Sequence, residues 1–312
     1  MSLTHFPNGI TSFGGPVTAN NFAGWWGKDV YFVDDENGSD DNDGKSPTIA
    51  KATIQSAITA SSIGDTIFLK PREIDTSIHS SHGYFTGTNI IPTGKTGLAI
   101  IGTGRGIGIG SAVDCMIEPD ASSTDTTITV QSPSVTIENV GIKAVASGSG
   151  AIYASASVAQ AYGLTVSNCF FKDFLGASSS VGSIHLVTTH WTTIQHCYFK
   201  ECGVAIHHNS AVAAVRNIVI KDCDFVGAAG DWGQDIRLGD VIEMVIDSCR
   251  FAHAQPTAGT RKMYIDMLGT GGTGMISNCR FGVAATTQAT VANLKGTVLM
   301  SDAFGSPAAI TS

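Results

Sequence analysis

Apolar and polar positions alternate in short runs through the second half of the chain, and one pattern recurs: apolar, any, apolar, any, small-polar, Cys, any, Phe. It stands as Leu164-Thr-Val-Ser-Asn-Cys-Phe-Phe171, Thr192-Thr-Ile-Gln-His-Cys-Tyr-Phe199, Ile218-Val-Ile-Lys-Asp-Cys-Asp-Phe225, Met244-Val-Ile-Asp-Ser-Cys-Arg-Phe251 and Gly274-Met-Ile-Ser-Asn-Cys-Arg-Phe281. Weaker copies flank the series at Val135-Thr-Ile-Glu-Asn-Val-Gly-Ile142 and Thr297-Val-Leu-Met-Ser-Asp-Ala-Phe304. One inward column, Ile137, Val166, Ile194, Ile220, Ile246, Ile276 and Leu299, repeats every 23 to 30 residues. A near-constant period with variation between copies means one structural unit per repeat, with loops absorbing the differences.

Alternation of period two makes each unit a strand rather than a helix. The small-polar column (Asn139, Asn168, His196, Asp222, Ser248, Asn278) interrupts the alternation. Asn and Asp tolerate positive φ, so this column predicts a sharp corner between two strands. Stacked coils then place like residues about 4.8 Å apart. The pattern therefore predicts an all-β, right-handed, single-stranded parallel β-helix, a three-sheet solenoid. Its interior should hold a Cys ladder (Cys169, Cys197, Cys223, Cys249, Cys279) and a Phe ladder (Phe171, Phe199, Phe225, Phe251, Phe281, Phe304). The Cys column reads as small buried side chains rather than a metal or redox site, because no Cys-x-x-Cys pair occurs. Cys115 and Cys202 fall outside it.

Composition narrows the function classes. Charged residues make up 14% and glycines number 36, which suits short strands joined by turns. The formal charge of −8, with no basic cluster, argues against nucleic acid as a partner. No stretch approaches the about 18 apolar residues of a membrane span, and Met1 to Pro16 lack the layout of a secretion signal. Synthesis and folding in a cytoplasm are the expectation.

The repeat, with its Asn corner and interior ladders, resembles the pectate-lyase-type right-handed β-helix superfamily. The segment Tyr31-Phe-Val-Asp-Asp-Glu-Asn-Gly-Ser-Asp-Asp-Asn-Asp-Gly44, then Ala52-Thr-Ile-Gln-Ser-Ala-Ile58, then Gly64-Asp-Thr-Ile-Phe-Leu69, is similar to the opening of many such proteins. It implies a first strand, an Asp/Gly turn, a capping helix and a first coil. The helix presents Ile54, Ala57 and Ile58 on one face, suited to closing the open end of the core. The expected layout is an N-terminal arm (1–29), the strand, turn and cap (30–70), the β-helix coils (71–304) and a tail (305–312).

The resemblance directs the search for chemistry to an outer sheet face. Upstream of each Cys motif lies another strand, aligned on Ile152, Ile184, Ile206, Ile236 and Ile265. The residue after each points outward: Tyr153, His185, His207, Arg237, Asp266. The residue before each (Ala151, Ser183, Ala205, Asp235, Tyr264) is expected to do the same. Stacking should bring His185 beside His207 and Arg237 beside Asp266, flanked by Trp232. As an enzyme the stripe would use Asp235, Arg237, Asp266 and His207, with the two Asp residues as acid and base. As a binding face it would add Tyr153, His185, Trp232 and Tyr264. The polygalacturonase motif set is missing and acids are too few for a pectate-lyase calcium cluster. The enzyme question stays open on this reading, leaning to a non-enzymatic protein without cofactor or metal.

Three other motifs read as structural. Asp34 to Gly44 lacks the terminal Glu of an EF-hand loop. Gly102-Thr-Gly-Arg-Gly-Ile-Gly-Ile-Gly110 lacks the spacing and βαβ context of a nucleotide loop. His190-Trp191, entering a strand, reads as packing. Residues 1–29 do not fit the repeat and carry Phe6, Pro7, Phe13, Trp25 and Trp26, apolar side chains suited to docking on a partner. The run Phe6-Pro-Asn-Gly-Ile-Thr-Ser-Phe-Gly14 is similar to the start of bacteriophage virion proteins that carry β-helices. That resemblance implies a virion structural protein (a head decoration, fibre or spike component), a homo-oligomer, taken as a trimer, attached to capsid or tail through its arm. The alternative is a polysaccharide depolymerase, lyase or hydrolase working on an extended glycan, such as one on a host surface, along the outer sheet.

Overall fold

The computed structural model describes residues 28–71, 85–104, 115–118, 126–144, 150–155, 161–174, 182–187, 189–208, 215–227, 234–253, 263–267 and 273–281, and short strands at 11–12, 15–16, 291–292 and 298–301. Three parallel sheets wind as a right-handed β-helix. Sheet I has ten strands, from Val30–Val33 through Thr165–Ser167 to Val298–Ser301. Sheet II has eight, from Phe85–Thr86 to Arg280–Phe281, and sheet III has eight, from Asn89–Ile91 to Val291–Ala292.

The repeat maps onto sheets I and II and the corner between them. Ile137, Val166, Ile194, Ile220, Ile246 and Ile276 pair in register and are fully buried. The column continues upstream through Ile100 and Ile67 to Tyr31, in coils without the Cys–Phe signature. At the other end the structure corrects the alignment: Ile276 pairs with Met300, not Leu299. The last copy is thus displaced by one residue, and Phe304 lies outside the described residues. Pairing register follows the backbone ladder, which the weak Val-Leu-Met run does not specify.

The corner column has the left-handed conformation expected of it, with φ between 51° and 57° at Asn139, Asn168, His196, Asp222, Ser248 and Asn278. Side chains secure it: Asn139 Nδ2 donates to the carbonyls of Gly102 (2.6 Å) and Gly104 (2.9 Å), and Asn168 Nδ2 donates to Asn139 Oδ1 (2.9 Å). Gly102 is required by this approach, since a Cβ there would sit 2.1 Å from the Asn139 carbonyl oxygen.

Inside the solenoid, Phe171, Phe199, Phe225, Phe251 and Phe281 stack face to face at 4.8–5.0 Å. The five motif cysteines are buried and free, each Sγ lying near carbonyls of its own and the preceding coil. Cys115, outside the motif in sequence, stands in the same column: its neighbour Met116 pairs with Gly141, and Gly141 with Phe170. Cys202 is buried with its Sγ 3.7 Å from the Phe171 carbonyl. Helix α1 (Ile54–Ala60) caps the end with Ile54, Ala57 and Ile58 buried, and starts at Thr53, whose hydroxyl accepts the Ser56 N–H. The Asp/Gly turn is a structural clasp. Asp34 accepts from Glu36 N, Asn37 N and Lys70 Nζ, while Asp40 accepts from Ala52 N, Thr53 N and Thr53 Oγ1.

Candidate functional site

Strict alternation on sheet III aims one side chain per coil outward. Ile152, Ile184, Ile206, Ile236 and Ile265 pair in register and are fully buried. The next position forms a continuous outward column: Ile90, Thr129, Tyr153, His185, His207, Arg237, Asp266. Its last five residues are those expected from the sequence. Tyr153 meets His185 edge-on at 5.2 Å, and His185 lies 4.7 Å from His207 between ring centroids. Arg237 Nε stands 3.9 Å from Asp266 Oδ2.

The stripe is more enclosed than an exposed face. His207 and Asp266 are 1% and 3% exposed, whereas Tyr153, His185 and Arg237 keep partial access. Burial lowers the pKa of His185 to about 4 and of His207 to about 3; neighbouring imidazoles, and Arg237 beside His207, add to the effect. Both rings are therefore neutral near pH 7. His185 Nε2 and His207 Nδ1 are buried without a hydrogen-bond partner, an arrangement that costs stability unless a ligand or solvent group meets them.

The preceding column differs from expectation. Ala151, Ser183, Ala205, Asp235 and Tyr264 are all buried, and Tyr264 packs against the interior rings Phe251 and Phe281 at 5.4 Å. The amides of Ala151 and Ile152 both reach the Ser183 carbonyl, so alternation breaks where the strand begins. Burial, with a contribution from the Asp235 charge, raises the Tyr264 pKa to about 12. Asp235, 2% exposed, is buried to the same degree as Asp266, which follows the inward Ile265. Trp232 and the arm residues Phe6, Pro7, Phe13, Trp25 and Trp26 lie outside the described residues.

His208 escaped the sequence reading. It occupies the inward column opposite Leu186, fully buried, with Nδ1 2.9 Å from the Leu186 carbonyl and Nε2 without a partner. Burial lowers its pKa. Two strand positions after Ile206, it stands where other coils carry Ala154, Leu186 and Leu238, and that mismatch was its only signal. No grouping of three or more His, Cys, Asp or Glu side chains suited to a metal ion occurs among the described residues. The stripe offers neutral imidazole donors and acceptors, one aromatic ring and an Arg–carboxylate pair, suited to hydroxyl and carboxylate groups along an extended ligand.

No protein-family model matches the sequence, and no curated protein matches it. Solved structures do. A GH136 lacto-N-biosidase from Eubacterium ramulus superposes with a TM-score of 0.60 at 12% identity, covering 88% of this chain and 55% of that one. The likeness is one of fold. This chain spans about half the length of that biosidase. A pectin methylesterase from carrot follows at TM-score 0.53 and 11% identity, covering 89% of this chain and 83% of the other. One from Aspergillus niger gives 0.51 and 12%, covering 88% and 85%.

Proposed function

We propose that this chain engages an extended saccharide along the outer face of sheet III. The in-register stripe Tyr153–His185–His207–Arg237–Asp266 carries the reading, because it repeats polar and aromatic contacts at the strand spacing along one line. Tyr153, His185 and Arg237, the partly exposed members, present an aromatic ring, an imidazole and a guanidinium to a sugar. Arg237 supplies a cation for an acidic sugar. The structural neighbours with this fold are, by their names, a biosidase and pectin methylesterases, which favours the glycan alternative over the virion-structural one.

A glycan microarray probed with the full-length chain, followed by calorimetry on the hits, tests this. Tyr153→Ala and His185→Ala should each weaken binding about ten-fold while leaving the melting temperature nearly unchanged, as expected for partly exposed contacts. Wild-type protein that binds no glycan, or variants that bind as wild type, would refute the proposal.

A further inference from the structure

The corner where sheet III runs into sheet I has its own left-handed column: Gly97, Ser134, Gly163, Trp191, Asn217 and Glu243, with φ from 54° to 74°. Each N–H along it reaches the residue preceding the next member, as in Gly163 N to His190 O and Trp191 N to Arg216 O. Glycine, serine and asparagine suit such a site. A bulky tryptophan there is a conformational outlier, and outliers of this kind collect at functional positions. Trp191 is also 60% exposed, the most exposed large apolar side chain among the described residues.

Its surroundings form a ledge. Tyr162 and His190 stack at 4.8 Å with 23° between their planes, and Trp191 stands almost perpendicular to both, at 5.7 and 5.9 Å. The Arg216 amide donates to His190 Nδ1 (3.1 Å), so the neutral ring carries its proton on Nε2. One coil further on, Asn217 Nδ2 donates to Glu243 Oε2 at 2.7 Å. The corner thus joins an exposed indole, buttressed by two rings, to a flanking row of polar groups.

We infer that this ledge is a second saccharide contact, where the C–H face of a pyranose ring stacks on Trp191 and its hydroxyls meet Arg216, Asn217 and Glu243. A protein partner fits less well. Such an interface needs about 800 Å² per side around an apolar centre, whereas this ledge exposes a single large apolar side chain, Trp191, bordered by polar residues. One sugar ring needs only one aromatic face and a polar rim. The assignment rests on the saccharide reading of sheet III and extends it around the corner of the solenoid.

The test uses the full-length chain and the oligosaccharide hits of the glycan array. Trp191→Ala should lose about ten-fold or more in affinity, and Trp191→Phe should stay within about three-fold of wild type. Trp191→Gly is the decisive variant. Glycine already occupies this column at Gly97 and Gly163, so its melting temperature should equal or exceed that of wild type while binding falls as in Trp191→Ala. Trp191 variants that bind normally, where Tyr153→Ala does not, overturn the ledge and leave the sheet III site standing. Wild-type protein that binds no glycan overturns both. A change in self-association in Trp191→Ala, with glycan binding intact, would assign the ledge to a protein contact and overturn the inference.

Discussion

Protonation of the buried imidazoles should make the solenoid acid-sensitive well above the carboxylate range, and His207→Gln isolates the effect. His207 is 1% exposed and its pKa is lowered to about 3 by burial, with help from His185, Arg237 and His208. In the unfolded chain the same ring titrates near 6.5. Below that pH the unfolded state holds a proton that the folded state excludes, so stability falls as pH drops from about 6.5 towards the folded pKa. Above 6.5 both states are neutral and the contribution is fully present. Each pH unit in this window is worth about 1.4 kcal/mol, so His207 alone should cost about 2 kcal/mol at pH 5. Urea unfolding at pH 7, 6 and 5 measures this for wild type and His207→Gln. The difference between the two should change by about 2 kcal/mol in favour of the variant from pH 7 to pH 5. Parallel pH profiles would show that His207 exchanges no protons on unfolding in this range, and the reasoning would fail.

Other consequences follow from the ladders. Phe225 is fully buried and stacked on Phe199 and Phe251, so Phe225→Ala should cost about 3–5 kcal/mol in denaturant unfolding. Phe225→Leu should lose much less, leaving mainly the two ring contacts of about 0.5–1.5 kcal/mol each. Asn139→Ala forfeits two carbonyl contacts in a left-handed corner and should cost about 2–3 kcal/mol, with Asn139→Gly recovering part of it. All seven cysteines are free and buried, so a thiol reagent should label none in native protein and seven after denaturation.

Legibility followed how strictly each feature constrains its residues. Corners and ladders were plain in the sequence because only small or turn-tolerant residues fit at Asn139 and its equivalents, and only flat rings stack at Phe225. The upstream coils through Tyr31, Ile67 and Ile100 were less visible, since a generic apolar position leaves no distinctive spelling. The outward column of sheet III was readable by simple alternation. Its neighbour was not, because the break at Ala151 is a backbone irregularity that the residues do not spell out. The same limit concealed His208, a polar residue on an inward position, and the enclosure of His207. Trp191 read as packing, although it lies three residues before Ile194 just as Gly163 lies three before Val166. That spacing places it on the strained corner.

Amide hydrogen exchange with and without the best oligosaccharide from the array tests whether sheet III carries the saccharide. Bound saccharide should slow exchange in the sheet III strands Ile152–Ser155, Ile184–Val187, Ile206–His208, Gln234–Leu238 and Met263–Met267, together with the Trp191 corner, and nowhere else. Protection centred on sheet II, or none at saturating ligand, would contradict the proposal.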